Sequence, residues 1–148
     1  MGFRNNLLRR GIISSDTEVL INALALKKQV APAAMTTAAT ITAANLLKGI
    51  ITGTHTVGAT QAYTLPTGAD LDAALSSFMI VNASFDITII NLSAAAADTI
   101  TLTQSVGITI VGNPIIDANL IYTSWYLNAG TFRIRRTAAN TFIAYRIS

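Results

Sequence analysis

The sequence predicts an all-β chain: an antiparallel β-sandwich of jelly-roll type with short helices and an extended or helical N-terminal arm. Three observations point there. From Phe78 onward apolar and polar residues alternate with a period of two, the spacing of half-buried strands. Short apolar runs recur every ~8 to 12 residues between Gly, Pro and Asn turn signals, as sandwiches and barrels require. Residues 1–35 hold five of the ten basic side chains against two acidic ones, which accounts for the whole net charge of +3. The chain therefore reads as a basic arm and linker over residues 1–40 and a neutral β-sandwich module over 41–148.

Taken in order, Met1 to Arg10 offers little apolar surface to offset its ordering entropy and reads as extended, or disordered on its own. Ser15 or Asp16 is placed to cap a helix whose apolar positions Val19, Ala23, Leu26 and Val30 recur at spacings of three and four. Pro32 stops that helix, and Ala31 to Thr42 reads as a linker or strap. Thr42 is an N-cap for one or two turns over Ala43 to Lys48, with Gly49 just past the end. Strands are expected at Ile50 to Thr54 and Gln61 to Leu65, with a Gly-rich turn between them. Thr67 caps a helix from Gly68 to Leu75, with Asp70 in its first turn.

In Ser84 to Asn91, Phe85, Ile87 and Ile89 share one face. In Thr99 to Thr103, Ile100 and Leu102 oppose three threonines. Gly107 to Val111 is a further strand, closed by Gly112, Asn113 and Pro114. The last two, Thr131 to Arg136 and Thr141 to Ile147, flank a hairpin loop at Thr137 to Asn140. Arg133 and Arg135 alternate with Phe132 and Ile134, so their charges share the face opposite the apolar one. No repeat of fixed period is present, which argues against a solenoid or propeller.

Charged residues are 11% and apolar ones 51% of the chain, too few charges to cover the surface of an ordinary soluble monomer. Part of that surface is expected to face neighbours. With no cysteine, disulfides and thiolate metal sites are excluded. No apolar run approaches the ~18 residues that span a bilayer as a helix. A secretory signal is disfavoured, because Asp16 and Glu18 abut the apolar patch and Lys27 and Lys28 precede any cleavage site.

Three stretches carry a family resemblance: Thr42-Ala-Ala-Asn-Leu-Leu-Lys-Gly-Ile-Ile51, Tyr63-Thr-Leu-Pro-Thr-Gly-Ala69, and Ser84-Phe-Asp-Ile-Thr-Ile-Ile-Asn91. It continues through Ala97 to Leu102 and Gly107 to Gly112 to the strand Phe132 to Arg135. Over residues 40–148 the chain resembles small virion proteins of tailed phages and large aquatic viruses. The resemblance implies a capsid-associated β module of the cement, decoration or head-fibre kind, often trimeric, with the major capsid protein as partner. The arm lies outside it.

Catalytic groups are sparse. His55 is the only histidine, and in a Gly/Thr-rich turn it reads as a solvated or hydrogen-bonded loop residue; three copies meeting on a trimer axis is the metal-binding alternative. Asp70 and Asp72, at i and i+2, do not share a helix face and read as capping and solvation. Asn82-Ala-Ser84 and Asn91-Leu-Ser93 match a glycosylation pattern that short sequences often meet by chance. Neither an enzyme nor a cofactor is expected.

Arg4, Arg9, Arg10, Lys27 and Lys28 are the expected docking groups of the arm, on an acidic protein surface rather than on nucleic acid, for which they are too few. Tyr122, Trp125, Tyr126, Arg133 and Arg135 are the candidate interface. The expected role is a capsid cement or decoration protein located in the virion and acting as a homotrimer. The alternative is a head or tail fibre knob, in which the aromatic trio binds a host receptor or glycan.

Overall fold

The computed structural model describes residues 29–75, 80–118 and 128–148. The chain divides between Val30 and Ala31, and the second unit carries the strands described below. Residues 31–40, expected as linker or strap, are laid into this β unit, which therefore begins ten residues before the expected boundary at 40/41.

The N-terminal strands are β1 (Ala33–Met35), β2 (Ala39–Thr40), β3 (Ile50–Gly53) and β4 (Gln61–Thr64). Next come β5 (Ser84–Asn91), β6 (Ile100–Thr103), β7 (Ile108–Val111) and β8 (Ile115–Ile116), and the chain ends in the hairpin of β9 (Ala129–Ala138) and β10 (Thr141–Arg146). Helix α1 (Ala43–Leu46) precedes β3 and α2 (Gly68–Leu75) follows β4. Among the described residues the strands form a six-stranded sheet, order β1-β3-β5-β9-β10-β7, and a four-stranded sheet, order β2-β4-β6-β8.

The local readings hold where the signal is local. The Thr42 side chain accepts a hydrogen bond from Asn45 N, and Gly49 takes a φ of +79° just beyond α1, the left-handed conformation that glycine adopts without a Cβ clash. Thr67 Oγ1 accepts from Asp70 N at 3.1 Å and donates to the Asp70 carboxylate at 2.7 Å. The hairpin turns at Asn140, with a φ of +55°.

The two-layer β character stands, but the described strands do not trace the expected antiparallel jelly roll. Five of the strand pairings are parallel: β1 with β3, β3 with β5, β2 with β4, β4 with β6, and β7 with β10. Antiparallel pairing joins β5 to β9, β9 to β10 and β6 to β8. From β1 to β8 the chain alternates between the sheets and lays each early strand beside the one two before it. Coiling without a repeat is possible because the intervals are uneven: Ala33, Ile51 and Ile89 are neighbours in one sheet, and Ala39, Tyr63 and Leu102 in the other. Period two survives this change, because a strand with one buried face alternates whatever the direction of its neighbour.

Both sheets contribute to one core. Ile51, Ile87, Ile89, Phe132, Ile134 and Phe142 enter from the larger sheet, and Tyr63, Ile100, Leu102 and Ile116 from the smaller, all buried. Each such Leu or Ile contributes about 1.5–3 kcal/mol by leaving water. The sheets approach closely at Gly53, where a Cβ would meet Tyr63 Oη and Ile100 Cδ1.

Candidate functional site

Alternation along β9 turns Phe132 and Ile134 into the core and Arg133 and Arg135 onto the outer face of the larger sheet. There Asp86 stands directly opposite Arg133 on β5. The Arg133 guanidinium donates to both carboxylate oxygens, Nε to Oδ1 at 2.8 Å and Nη2 to Oδ2 at 2.9 Å. That fork-to-fork contact raises the Arg133 pKa, through the hydrogen bonds first and the charge second. Both side chains stay about half exposed, at 52% and 43%, so the pair fixes the face more than it stabilises the fold.

Arg135 donates to Asn82 Oδ1 at 3.1 Å and to Tyr145 Oη at 3.3 Å, and its guanidinium carbon lies 5.9 Å from the centre of the Tyr145 ring. Around these groups the outer positions are occupied by Ile50, Thr88, Ile90, Thr131 and Ile143, all half-buried. The result is a sheet face of Ile and Thr with one neutralised ion pair and one arginine stacked on a tyrosine. Arg133 is neutralised there by Asp86, whereas Arg135 keeps its charge and a buried Nε without a hydrogen-bond partner, so a protein laid on this face would have to supply an acceptor or a carboxylate for Arg135.

The other two arginines near the C-terminus do not join it. Arg136 donates to Asp72 Oδ2 at 2.7 Å, an oxygen that also accepts from Asn140 N at 3.0 Å, and this ties α2 to the hairpin. Asp72 is therefore a structural partner rather than a solvated carboxylate. The hydrogen bonds from Arg136 and Asn140 hold its pKa below the usual carboxylate range. Arg146 is turned to the inner side, its guanidinium carbon 5.3 Å from the centre of the Phe132 ring. It donates to the carbonyls of Asn113, Ile115, Ala129 and Ser148, and burial lowers its pKa while Asp117 partly opposes the shift.

Of the two readings of His55, solvated or hydrogen-bonded loop residue, the structure shows the second. It is 2% exposed and is no solvated loop residue. Its backbone N donates to Ser93 Oγ at 2.8 Å, Nδ1 faces the Thr36 carbonyl at 3.1 Å and Nε2 faces Tyr63 Oη at 2.7 Å. A carbonyl only accepts, so Nδ1 donates to Thr36, and the Tyr63 hydroxyl also lies 3.4 Å from the Met35 carbonyl, to which it can donate. Burial pushes the Tyr63 pKa up to about 12.

Beside it lies a second group of buried polar residues. Asn91 donates to the carbonyls of Asp98 and Ile116 and accepts from Ser93 N, while Asp98 Oδ1 accepts from Gly58 N at 2.6 Å. The Asn91 sequon is therefore closed to modification: Asn91 is fully buried with its amide engaged. Its position at the inward end of the β5 alternation was the one signal in the sequence that could have shown this.

Among the described residues there is no group of three His, Cys, Asp or Glu side chains that could hold a metal. The arm residues Arg4, Arg9, Arg10, Lys27 and Lys28 and the aromatic trio Tyr122, Trp125 and Tyr126 lie outside the described residues, so of the expected site Arg133 and Arg135 are the two the structure places. Comparison with protein-family models, with curated proteins and with solved structures finds no match.

Proposed function

We propose that this chain is a structural virion protein, a cement or decoration module that binds the major capsid protein, with its basic arm as the attachment and its β unit as a homotrimer. One observation carries the reading most. Ten large apolar side chains of the described residues are 39% to 84% exposed, Val106 and Ile80 foremost, on a chain with only 11% charged residues. Exposed apolar groups are ordinary taken singly, but with so few charges among them they favour a subunit whose neighbours cover part of its surface. The sheet face around Arg133 and Arg135 suits the same use, and the resemblance of residues 40–148 to small virion proteins points the same way.

The mechanism is linkage: a protein that binds the assembled shell and not its free subunits stabilises the shell by its own binding free energy. Three arms on one trimer share a high effective concentration at the lattice, so modest individual contacts add to firm attachment. The test is co-sedimentation of the purified chain with capsids. The full chain should saturate them and a chain lacking Met1 to Val30 should fold and stay in the supernatant. Full occupancy by the truncated chain would move attachment into the β unit, and no binding by either would overturn the reading.

A further inference from the structure

Among the described residues the six-stranded sheet ends in β1 on one flank and β7 on the other. Their directions follow from the pairings. β1, β3 and β5 are parallel, β9 is antiparallel to β5, β10 is antiparallel to β9, and β7 is parallel to β10. The two edge strands therefore run the same way. Copies related by rotation about an axis along the strands would bring the β1 edge of one beside the β7 edge of the next, as parallel neighbours of the kind this sheet already uses.

Charge is compatible with that meeting on both sides. Residues 29–47, which hold β1, and residues 99–116, which hold β7, contain no Asp, Glu, Lys or Arg. Folded proteins ordinarily guard a free edge with charge, lysine above all; here the described charges lie on β5, β9, β10 and α2 and in loops at Lys48, Asp98 and Asp117, with Arg146 alone reaching the segment after β7, where it donates to the Asn113 and Ile115 carbonyls. The β7 flank is also apolar. Val106, Val111 and Ile115 are 84%, 47% and 44% exposed, and next to them in sequence a groove of about 280 Å³ between β6 and β7 is lined by Leu102, Ile110, Gly112 and Pro114 with the uncharged polar Thr101, Thr103 and Gln104. On the β1 flank the residues are small, Ala31, Ala33 and Ala34, which lets another backbone come close.

We propose that β7 and the groove beside it are the docking surface for the β1 edge of a second copy of this chain, so that copies join head to tail and close into a ring. The contact uses a different surface on each copy, and such contacts either close or grow into fibres. With the trimeric reading above, the ring is taken to close at three copies. The proposal rests on the reading of an assembled module and names the surfaces that make it.

The chain has no cysteine, which makes the test direct. Ala34 on β1 and Thr109 on β7 are both exposed. A chain carrying Ala34→Cys and Thr109→Cys, treated with a short bismaleimide, should give a covalent trimer with no longer ladder. Each single-cysteine chain should give none.

In parallel, Val111→Lys should raise the dissociation constant of the ring by about ten-fold or more, with circular dichroism and unfolding midpoint unchanged. Val57→Lys, a control at an exposed loop position, should leave assembly intact. Cross-linking of the single-cysteine chains among themselves would overturn the proposal, as would an oligomer by sedimentation that the double variant does not cross-link and Val111→Lys does not weaken. In those cases the assembled-module reading survives with another interface. A wild-type chain that sediments as a monomer would defeat the inference and the trimeric reading together, and capsid binding would still be decided by co-sedimentation.

Discussion

His55 shows how far one residue can differ from its sequence context. A turn rich in Gly and Thr gives no sign of burial, yet the ring closes a chain of hydrogen bonds from Thr36 to Tyr63. For a solvated loop histidine, truncation to alanine would cost no more than a surface change, within about 0.5 kcal/mol. The structure reverses this. Truncation removes the short bond to the Tyr63 hydroxyl, which keeps only its 3.4 Å bond to the Met35 carbonyl, and the ring's bond to the Thr36 carbonyl, so urea unfolding should show a loss of about 1–3 kcal/mol; an unchanged midpoint would contradict the network.

Two titrations belong to the same scale. Tyr63 has its pKa raised by burial to about 12, so its contribution is complete below the unfolded tyrosine value of about 10 and is lost as pH rises towards 12. Alkaline unfolding, followed by tyrosinate absorbance, should fall in that window. Asp72 has its pKa lowered by Arg136 and Asn140, so its contribution is complete above the unfolded aspartate value of about 4 and is lost as pH falls through the lower folded value. Asp72→Asn should flatten the acid limb of the stability curve, and a limb unchanged in the variant would place the acid sensitivity elsewhere.

At the scale of elements, the corner between α2, the loop before β7 and the β9–β10 hairpin depends on backbone approach. A Cβ on Gly68 would meet the Asn140 carbonyl, and one on Gly107 would meet the same oxygen. Helix propensity alone would favour Gly68→Ala by up to about 1 kcal/mol. The clash is with backbone that cannot rotate away, and overpacking of this kind costs about 1–3 kcal/mol. The clash wins: the variant should unfold at lower urea concentration than wild type, and a rise in stability would show that the hairpin is free to shift.

The elements themselves were legible where their signals were short in range. Thr42 and Thr67 cap helices as read, the hairpin turns at Asn140, and Ile87, Ile89, Ile100, Leu102, Phe132 and Ile134 are buried on the expected faces. Partner choice was not legible. β1, β2 and β8 are two or three residues long, too short to show a period, and the parallel pairs join segments at unequal separations that no repeat search detects. The arginines show the same limit. Alternation placed Arg133 and Arg135 outward, but that Arg136 joins Asp72 and Arg146 lies over Phe132 depends on neighbours distant in sequence.

At the scale of the whole molecule, a low charge, exposed apolar groups and uncharged edge strands are what the proposed assembly role would use. Among the described residues His55, Asn91, Ser93 and Asp98 are buried in hydrogen bonds that join loops to strands. The most direct measurement of the central claim is an image reconstruction of intact particles that contain this chain. The account predicts density for the β unit on or between capsomers, repeated with the lattice, in groups of three, with the arm leading into the shell. Density only at the tip of a fibre, or a chain absent from particles, would contradict it.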